Sequence, residues 1–392
     1  MRTLNFTPET ELRISKVRRQ MALTGADALL LTDTSNIYYL TGGVFRGYVY
    51  VPAQGRSLMF AIRPVELEGK DLIYIRKPEQ IPAELEKLGM PLPSSLGLEL
   101  DDISYSDIER LKAAMKPVAV PNASGVMRRT RMVKTEAEIA KIREDGIKQA
   151  SVYHKIPKVY KEDMTDVEFQ IEIERLLRLE GCLGYYRTNG RLMEINMGSV
   201  LNGDNADEPT PYDFAVGGGG VDLSLPVGAD GRTMRHGTTI MVDMCGNFNG
   251  YQSDLTRVWS IGAIDEFALK CHNCSRRILR ELEKMAVPGV KVAELYNRAM
   301  EIVTSEGLEK HFMGHTQQAP FIGHGVGIEL NELPVITPRS KDILEENMVL
   351  AIEPKFVVEK VGAVGVENTY RVTATGLECL TNLSEEIADI TF

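Results

Sequence analysis

Long apolar runs are missing from this 392-residue sequence. No stretch of 18 apolar residues occurs, which excludes an ordinary membrane-spanning helix, and the polar N-terminal segment lacks the apolar core of a signal peptide. An excess of basic residues is also missing: the formal net charge of −10 argues against nucleic acid as the main partner. We therefore expect no membrane and no nucleic acid among the partners.

Cysteine is scarce as well. The five cysteines are odd in number and scattered, so they do not suggest a disulfide framework and instead indicate a reducing compartment, with the cytoplasm as the expected location. The hydrophobic content of 43% and charged content of 26% are ordinary for a globular protein. A chain of this length suits two domains rather than one.

Helix and strand signals alternate along the chain, which predicts an α/β (α+β) protein. The basic segment 128–134 is interpreted as a solvated linker, which gives domains 1–127 and 128–392. Helices are predicted at 12–21, 105–115, 136–160, 165–180, 263–286 and 292–306, and strands at 27–32, 48–52 and 57–62. Glu180 and Glu306, each followed by glycine, lie 126 residues apart. This spacing suggests two similar helix–helix–strand halves in the second domain.

A hairpin signal in the second domain brings two acidic residues together. Asn249-Gly250 between two strand-like runs predicts a two-residue turn. Counting outward from that turn pairs Cys245 with Asp254, so Asp243 lies diagonally across from Asp254, with Cβ atoms about 7 Å apart or less. Two inward-facing carboxylates this close require a positive partner such as a metal pair. The alternative is an exposed hairpin with two solvated carboxylates.

Three further residues could complete a ligand set. His324 lies among glycines, Glu353 ends an apolar strand, and Glu367 lies inside another. Buried charges are costly unless they are paired or bound to a metal. Taken singly, the histidine could be a packed side chain and each glutamate an edge-strand charge. Together with Asp243 and Asp254 they form a plausible dinuclear set.

The order and the local sequences of these segments resemble those of the pita-bread metallohydrolases, which include prolidase, aminopeptidase P, methionine aminopeptidase and creatinase. The matching segments, over roughly residues 135–385, are Asp243, Asp254-Leu-Thr-Arg257, Gly323-His-Gly-Val-Gly327, Ile352-Glu-Pro354 and Val366-Glu-Asn-Thr369. Residues 25–42 resemble the creatinase-type N-terminal domain. The resemblance implies a small α/β N-terminal domain followed by a pita-bread domain of two pseudo-symmetric halves.

The resemblance also implies roles for the five residues. Asp243 and Glu367 would bridge two divalent ions, Asp254 would bind one ion, and His324 with Glu353 would bind the other. The ions would activate a water molecule, and Glu353 would be the catalytic proton shuttle. By family analogy Mn²⁺ or Co²⁺ is expected, with Zn²⁺ and Fe²⁺ left open. The family often forms dimers, so a homodimer is the expectation.

Two histidines that are usual in peptidases of this family are missing here. One position holds Asn331, and no histidine occurs from Lys155 to Arg235, where the other is expected. Asn331 could donate a hydrogen bond to substrate, and His315 could reach the pocket, although a surface or packing role is the favoured interpretation for His315.

Three functions remain open at this point. The leading hypothesis is a metal-dependent hydrolase, an Xaa-Pro dipeptidase or aminopeptidase acting on small peptides. The alternative, prompted by the missing histidines, is a creatinase-like hydrolase of a small non-peptide amide or amidine. The third, a binding protein on a retired hydrolase fold, should have lost ligands, whereas all five are present.

Overall fold

The computed structural model describes residues 2–391 and divides the chain into two compact units, Met1–Arg131 and Met132–Phe392. Within the described residues, no helix combines the length and apolar character needed to cross a membrane. Each unit has its own core of buried apolar side chains, and the second unit carries the candidate site.

The N-terminal unit is a mixed sheet with surrounding helices. Its helices are α1 (Pro8–Met21), α2 (Thr34–Thr41), α3 (Ile81–Lys87), α4 (Tyr105–Met115) and α5 (Ser124–Met132), which ends at the boundary. Its strands are β1 (Arg2–Thr3), β2 (Ala28–Leu31), β3 (Arg46–Pro52), β4 (Leu58–Arg63), β5 (Leu67–Glu68), β6 (Leu72–Tyr74) and β7 (Leu96–Gly97). The main sheet has the order β6-β4-β3-β2-β7, and β1 pairs with β5.

The C-terminal unit contains two helix pairs, each followed by strands. Its helices are α6 (Glu136–Tyr153), α7 (Asp166–Leu179), α8 (Glu266–Met285) and α9 (Val292–Glu306). Its strands are β8 (Gly198–Asn202), β9 (Thr239–Gly246), β10 (Ser253–Ser260), β11 (Gly323–Gly325), β12 (Glu332–Val335), β13 (Val349–Ile352), β14 (Lys355–Val358), β15 (Gly362–Gly365), β16 (Asn368–Thr373), β17 (Gly376–Cys379) and β18 (Ala388–Asp389).

The strands of this unit form a four-stranded sheet, β18-β10-β9-β8, a five-stranded sheet, β12-β11-β13-β16-β17, and the hairpin β14-β15. A bridge between Thr256 and Glu367 links β10 to the residue that precedes β16. The repeated helix–helix–strand order agrees with the predicted halves, and the bridge brings strands of both halves to one place.

Local sequence signals account for most helix boundaries. The Thr165 hydroxyl accepts a hydrogen bond from the Glu168 amide while the Glu168 carboxylate accepts one from the Thr165 amide, so the predicted capping box is confirmed. Gly307 ends α9 in the left-handed conformation, with φ at 69°. The predicted helix from 136 to 160 is shorter than expected, because α6 ends at Tyr153 and a 3-10 turn follows.

The interpretation of segment 128–134 as a solvated linker is wrong. Most of it belongs to α5, and Arg131 and Lys134 are each 3% exposed. The Lys134 ammonium lies 3.0 Å from Oε2 of the buried Glu332, and the Arg131 guanidinium donates to the Asn36 side chain. A run of basic letters does not reveal such partners, because they lie far away in sequence.

Candidate metal site

The hairpin of β9 and β10 has the predicted register. Cys245 lies opposite Asp254 and Asp243 lies opposite Thr256, so both carboxylates project from the same face. The turn is fixed from α6: the Asp145 carboxylate accepts hydrogen bonds from the Phe248 amide at 2.5 Å and from the Ser253 hydroxyl at 2.8 Å. The hairpin thus presents Asp243 and Asp254 from a buried, well-anchored support.

The five-stranded sheet supplies the other three predicted residues. His324 is the middle residue of β11 and lies opposite Ala351 of β13. Because Ile352 is paired with Asn368, Glu353 after β13 and Glu367 before β16 lie side by side across an antiparallel pair. All five predicted residues therefore converge, although they are spread over more than 120 positions of the chain.

The five side chains form two overlapping groups that could hold a metal ion. In the first, Asp254, His324 and Glu367 offer ligand atoms that all lie within 4.8 Å of one another; in the second, Asp243, Glu353 and Glu367 do the same. We call these the histidine half and the lysine half of the site, since Lys355 lies in the second. The site opens on a cavity of about 280 Å³.

In the histidine half, donor atoms are available for an ion. Nδ1 of His324 lies 3.1 Å from the Gly325 carbonyl oxygen, and a carbonyl only accepts, so the proton belongs on Nδ1 and leaves the lone pair of Nε2 towards the carboxylates. Nε2 lies 3.8 Å from Oδ2 of Asp254. Oε1 of Glu367 is buried without a hydrogen-bond partner, which is costly unless a cation satisfies it. These residues fit a divalent ion.

Burial and mutual repulsion make the carboxylates hard to ionise without a cation. Burial raises the pKa of Asp254 well above its usual value, and the charges of Asp243 and Glu353 raise it further. Burial, followed by the charge of Asp254, likewise raises the pKa of Glu367. A bound cation would offset this repulsion and favour the ionised forms.

The lysine half contains a cation of the chain's own. The Lys355 side chain is 0% exposed, and its ammonium donates to Oδ2 of Asp243 at 2.8 Å, to Oε2 of Glu353 at 2.7 Å and to Oε2 of Glu367 at 3.1 Å. Burial alone would lower the pKa of this ammonium, but the three carboxylates raise it well above the usual value. The three carboxylates therefore favour the charged form of Lys355 beside the second ligand group.

Lys355 is not among the site residues predicted from the sequence. It follows Glu353 by two residues and opens β14, whose other residues are Phe356, Val357 and Val358. A lysine at the start of an apolar strand, close to a suspected carboxylate ligand, is a signal that could have been noticed. The spacing alone, however, does not tell whether the side chain enters the site or reaches solvent.

The two predicted substrate residues have different positions. Asn331 lines the cavity, but its amide group is engaged with the main chain of Asn189, at 2.7 Å and 2.6 Å. His315 is not among the described residues that line the cavity; its Nδ1 lies 3.1 Å from Asp207, and its ring stacks on His311. Of the described residues that do line it, His324 is the single histidine.

Two protein-family models match this chain. Residues 140–374 match the model of metallopeptidase family M24. The chain belongs to this family. Residues 13–133 match the creatinase/prolidase N-terminal domain. The predicted resemblance is thus confirmed, as is the prediction of an enzyme that is a metallopeptidase. Membership of M24 implies divalent metal ions, and the similarity to two Xaa-Pro dipeptidases does not favour the creatinase-like alternative.

The similarity of this M24 member to individual relatives extends over nearly its whole length. An Xaa-Pro dipeptidase of Pyrococcus horikoshii is 25% identical over 382 residues, covering 96% of this chain and 98% of that protein. The structure of an Xaa-Pro dipeptidase from Bacillus anthracis superposes with a TM-score of 0.78 at 21% identity, covering 97% of this chain and 99% of that chain. The prolidase structure from P. horikoshii gives 0.76 at 21% identity, covering 96% and 99%. These structures confirm the predicted pita-bread fold.

Proposed function

We propose that this M24 member is an Xaa-Pro dipeptidase, a metal-dependent hydrolase that cleaves the bond before proline in small peptides. The observation that carries the proposal is the convergence of Asp243, Asp254, His324, Glu353 and Glu367 at the wall of one cavity. The similarity to two Xaa-Pro dipeptidases over almost the full chain supports this choice of substrate.

The metal would be held within this group of five residues, with Mn²⁺ or Co²⁺ as the proposed ion because carboxylates dominate the group. When bound, a divalent ion lowers the pKa of water and polarises the carbonyl of the scissile bond. How many ions the site accepts depends on Lys355, whose ammonium already lies among three of the carboxylates.

Glu353 is proposed as the catalytic proton shuttle. Its Oε1 lies 3.7 Å from Nε2 of His324, while its Oε2 is held by Lys355 at 2.7 Å. One oxygen is thus fixed and the other faces the histidine half, where the reacting water would lie. From there Glu353 would accept the proton of the attacking water and deliver it to the proline nitrogen as the C–N bond breaks.

The rest of the cavity suits a small substrate with an apolar ring. Phe214, Phe321, Ile195 and Val335 line it together with the site residues. A volume of about 280 Å³ is near the lower limit of ligand pockets, roughly 300 Å³. Dipeptides should therefore be better substrates than longer peptides. We further propose that the enzyme acts in the cytoplasm as a homodimer; the free cysteines agree with that compartment.

The direct test is hydrolysis of a panel of Xaa-Pro dipeptides and longer Xaa-Pro peptides by the full chain in the presence of Mn²⁺. We expect turnover of dipeptides, with kcat reduced about 100-fold to 1,000-fold in Glu353→Gln, because the amide cannot take up the proton. The matched control is Glu359→Gln, an exposed glutamate of the following turn. Absence of turnover with any Xaa-Pro peptide would refute the proposed substrate class.

A further inference from the structure

The carboxylates of the lysine half of the site are already engaged by an ammonium group. Lys355 contacts one oxygen of each of the three carboxylates that make up this half. An ion bound to the same oxygens would lie within about 3 Å of the ammonium nitrogen, where two positive charges repel strongly.

The surrounding structure holds the Lys355 ammonium in this position. Its side chain is fully buried, and its backbone is fixed by pairing with Gly365 in the β14-β15 hairpin. A Cβ atom at Gly365 would lie 2.9 Å from the Lys355 Cα and 3.4 Å from its Cγ, so the lysine packs tightly against a residue that has no side chain. Moving the ammonium to solvent would require repacking of this hairpin.

The oxygens of Glu367 divide between the two halves. Oε2 accepts hydrogen bonds from Lys355 and from the Thr256 hydroxyl, at 3.1 Å and 2.6 Å. Oε1 is buried and has no partner. One oxygen is thus saturated within the chain while the other is left for a ligand, which is the pattern expected when one half holds an ion and the other does not.

We infer that the site binds one divalent ion, in the histidine half, and that the Lys355 ammonium takes the place of a second. The inference rests on the proposed metal site but not on the substrate. One ammonium and one divalent ion together offset most of the charge of the four carboxylates. Lys355 acts as a positioning residue, since it fixes Glu353 and Asp243 and touches neither metal nor substrate.

The test is the number of Mn²⁺ ions per folded chain, measured by native mass spectrometry and by elemental analysis after loading and desalting. We expect one ion in the wild type and two in Lys355→Ala, which removes the charge and opens space beside three carboxylates. The matched control is Lys360→Asn, which alters an exposed lysine in the turn of the same hairpin and should retain one ion; asparagine suits the φ of 63° there.

Electron paramagnetic resonance of the wild type gives a second measurement that does not depend on the folding of the variant. An isolated Mn²⁺ spectrum is expected, without the coupling of a neighbouring ion. Two ions or none in the wild type would overturn the inference, and so would a single ion in well-folded Lys355→Ala. Because no substrate is used, failure of the Xaa-Pro assay and failure of the ion count are separate results.

Discussion

The two halves of the site share Glu367 and differ in how their charge is balanced. The histidine half combines two carboxylates with an imidazole whose Nδ1 lies next to the Gly325 carbonyl oxygen, and it leaves Oε1 of Glu367 without a partner. The lysine half combines three carboxylates with an ammonium that contacts all of them. The difference teaches that a complete set of ligand residues does not by itself fix how many ions a site takes, because one nearby lysine can contact half of the set.

The largest effect is expected from His324→Ala. Loss of the imidazole removes the only nitrogen ligand proposed for the histidine half, so Mn²⁺ binding should fall below detection and kcat/KM for an Xaa-Pro dipeptide should drop about 10⁴-fold, or roughly 5 kcal/mol of transition-state stabilisation. Elemental analysis and steady-state kinetics measure both. The control is His154→Ala, at an exposed position after α6. Retention of one ion in His324→Ala would place the ion elsewhere and would contradict its assignment to the histidine half.

A second prediction compares two buried lysines. Lys355 holds three carboxylates, whereas Lys134 pairs with Glu332, which also accepts hydrogen bonds from the Ile328 and Glu329 amides. Without metal, Lys355→Ala should lower the free energy of unfolding by about 3–5 kcal/mol, and Lys134→Ala by about 1–3 kcal/mol because Glu332 keeps partners.

Denaturant unfolding with EDTA and with Mn²⁺ checks this prediction. Addition of Mn²⁺ should recover much of the stability lost in Lys355→Ala, because ions can then offset the charge of the carboxylates that have lost the ammonium. It should recover none of the stability lost in Lys134→Ala through the missing contact with Glu332. Equal behaviour of the two variants would mean that Lys355 is only a structural ion pair.

The smallest effect is expected at Asp145, which anchors the β9-β10 hairpin. That hairpin gives one carboxylate to each half of the site. Burial raises the pKa of Asp145 to about 7 from 3.8, so the folded chain keeps a proton that the unfolded chain has released. This contribution to stability is complete below about pH 4 and is lost as the pH rises to about 7. Asp145→Asn has no such proton, so the stability of the wild type relative to it should fall by about 1–3 kcal/mol between pH 4 and 7.5.

Urea unfolding of both proteins across this pH range measures the effect, with the exposed Asp163→Asn as control. A difference in stability that stays constant with pH would contradict the assignment of a raised pKa to Asp145.

Sequence reasoning reached the parts of this site that depend on local rules. Counting outward from Asn249-Gly250 gives the observed pairing of Cys245 with Asp254, although the strands end at Gly246 and resume at Ser253 rather than meeting in a two-residue turn. The strands around Glu353 and Glu367 carry acidic residues in apolar surroundings. Helix ends could likewise be predicted from capping residues and glycines.

The parts that sequence reasoning missed depend on partners distant in the chain. Lys355 reaches Asp243 across 112 positions, and Lys134 reaches Glu332 across 198. In both cases the sequence around the lysine does not reveal whether its side chain is solvated or buried, because tertiary packing alone determines its environment. The same limit applies to Asn331, whose amide is engaged by a loop residue that the sequence does not mark.

The most direct test of the account is the anomalous diffraction of crystals of the full chain grown or soaked with Mn²⁺. We predict one anomalous peak, bonded to Asp254, His324 and Glu367, with the Lys355 ammonium still among Asp243, Glu353 and Glu367. A second peak among those three carboxylates, with Lys355 displaced, would contradict the account.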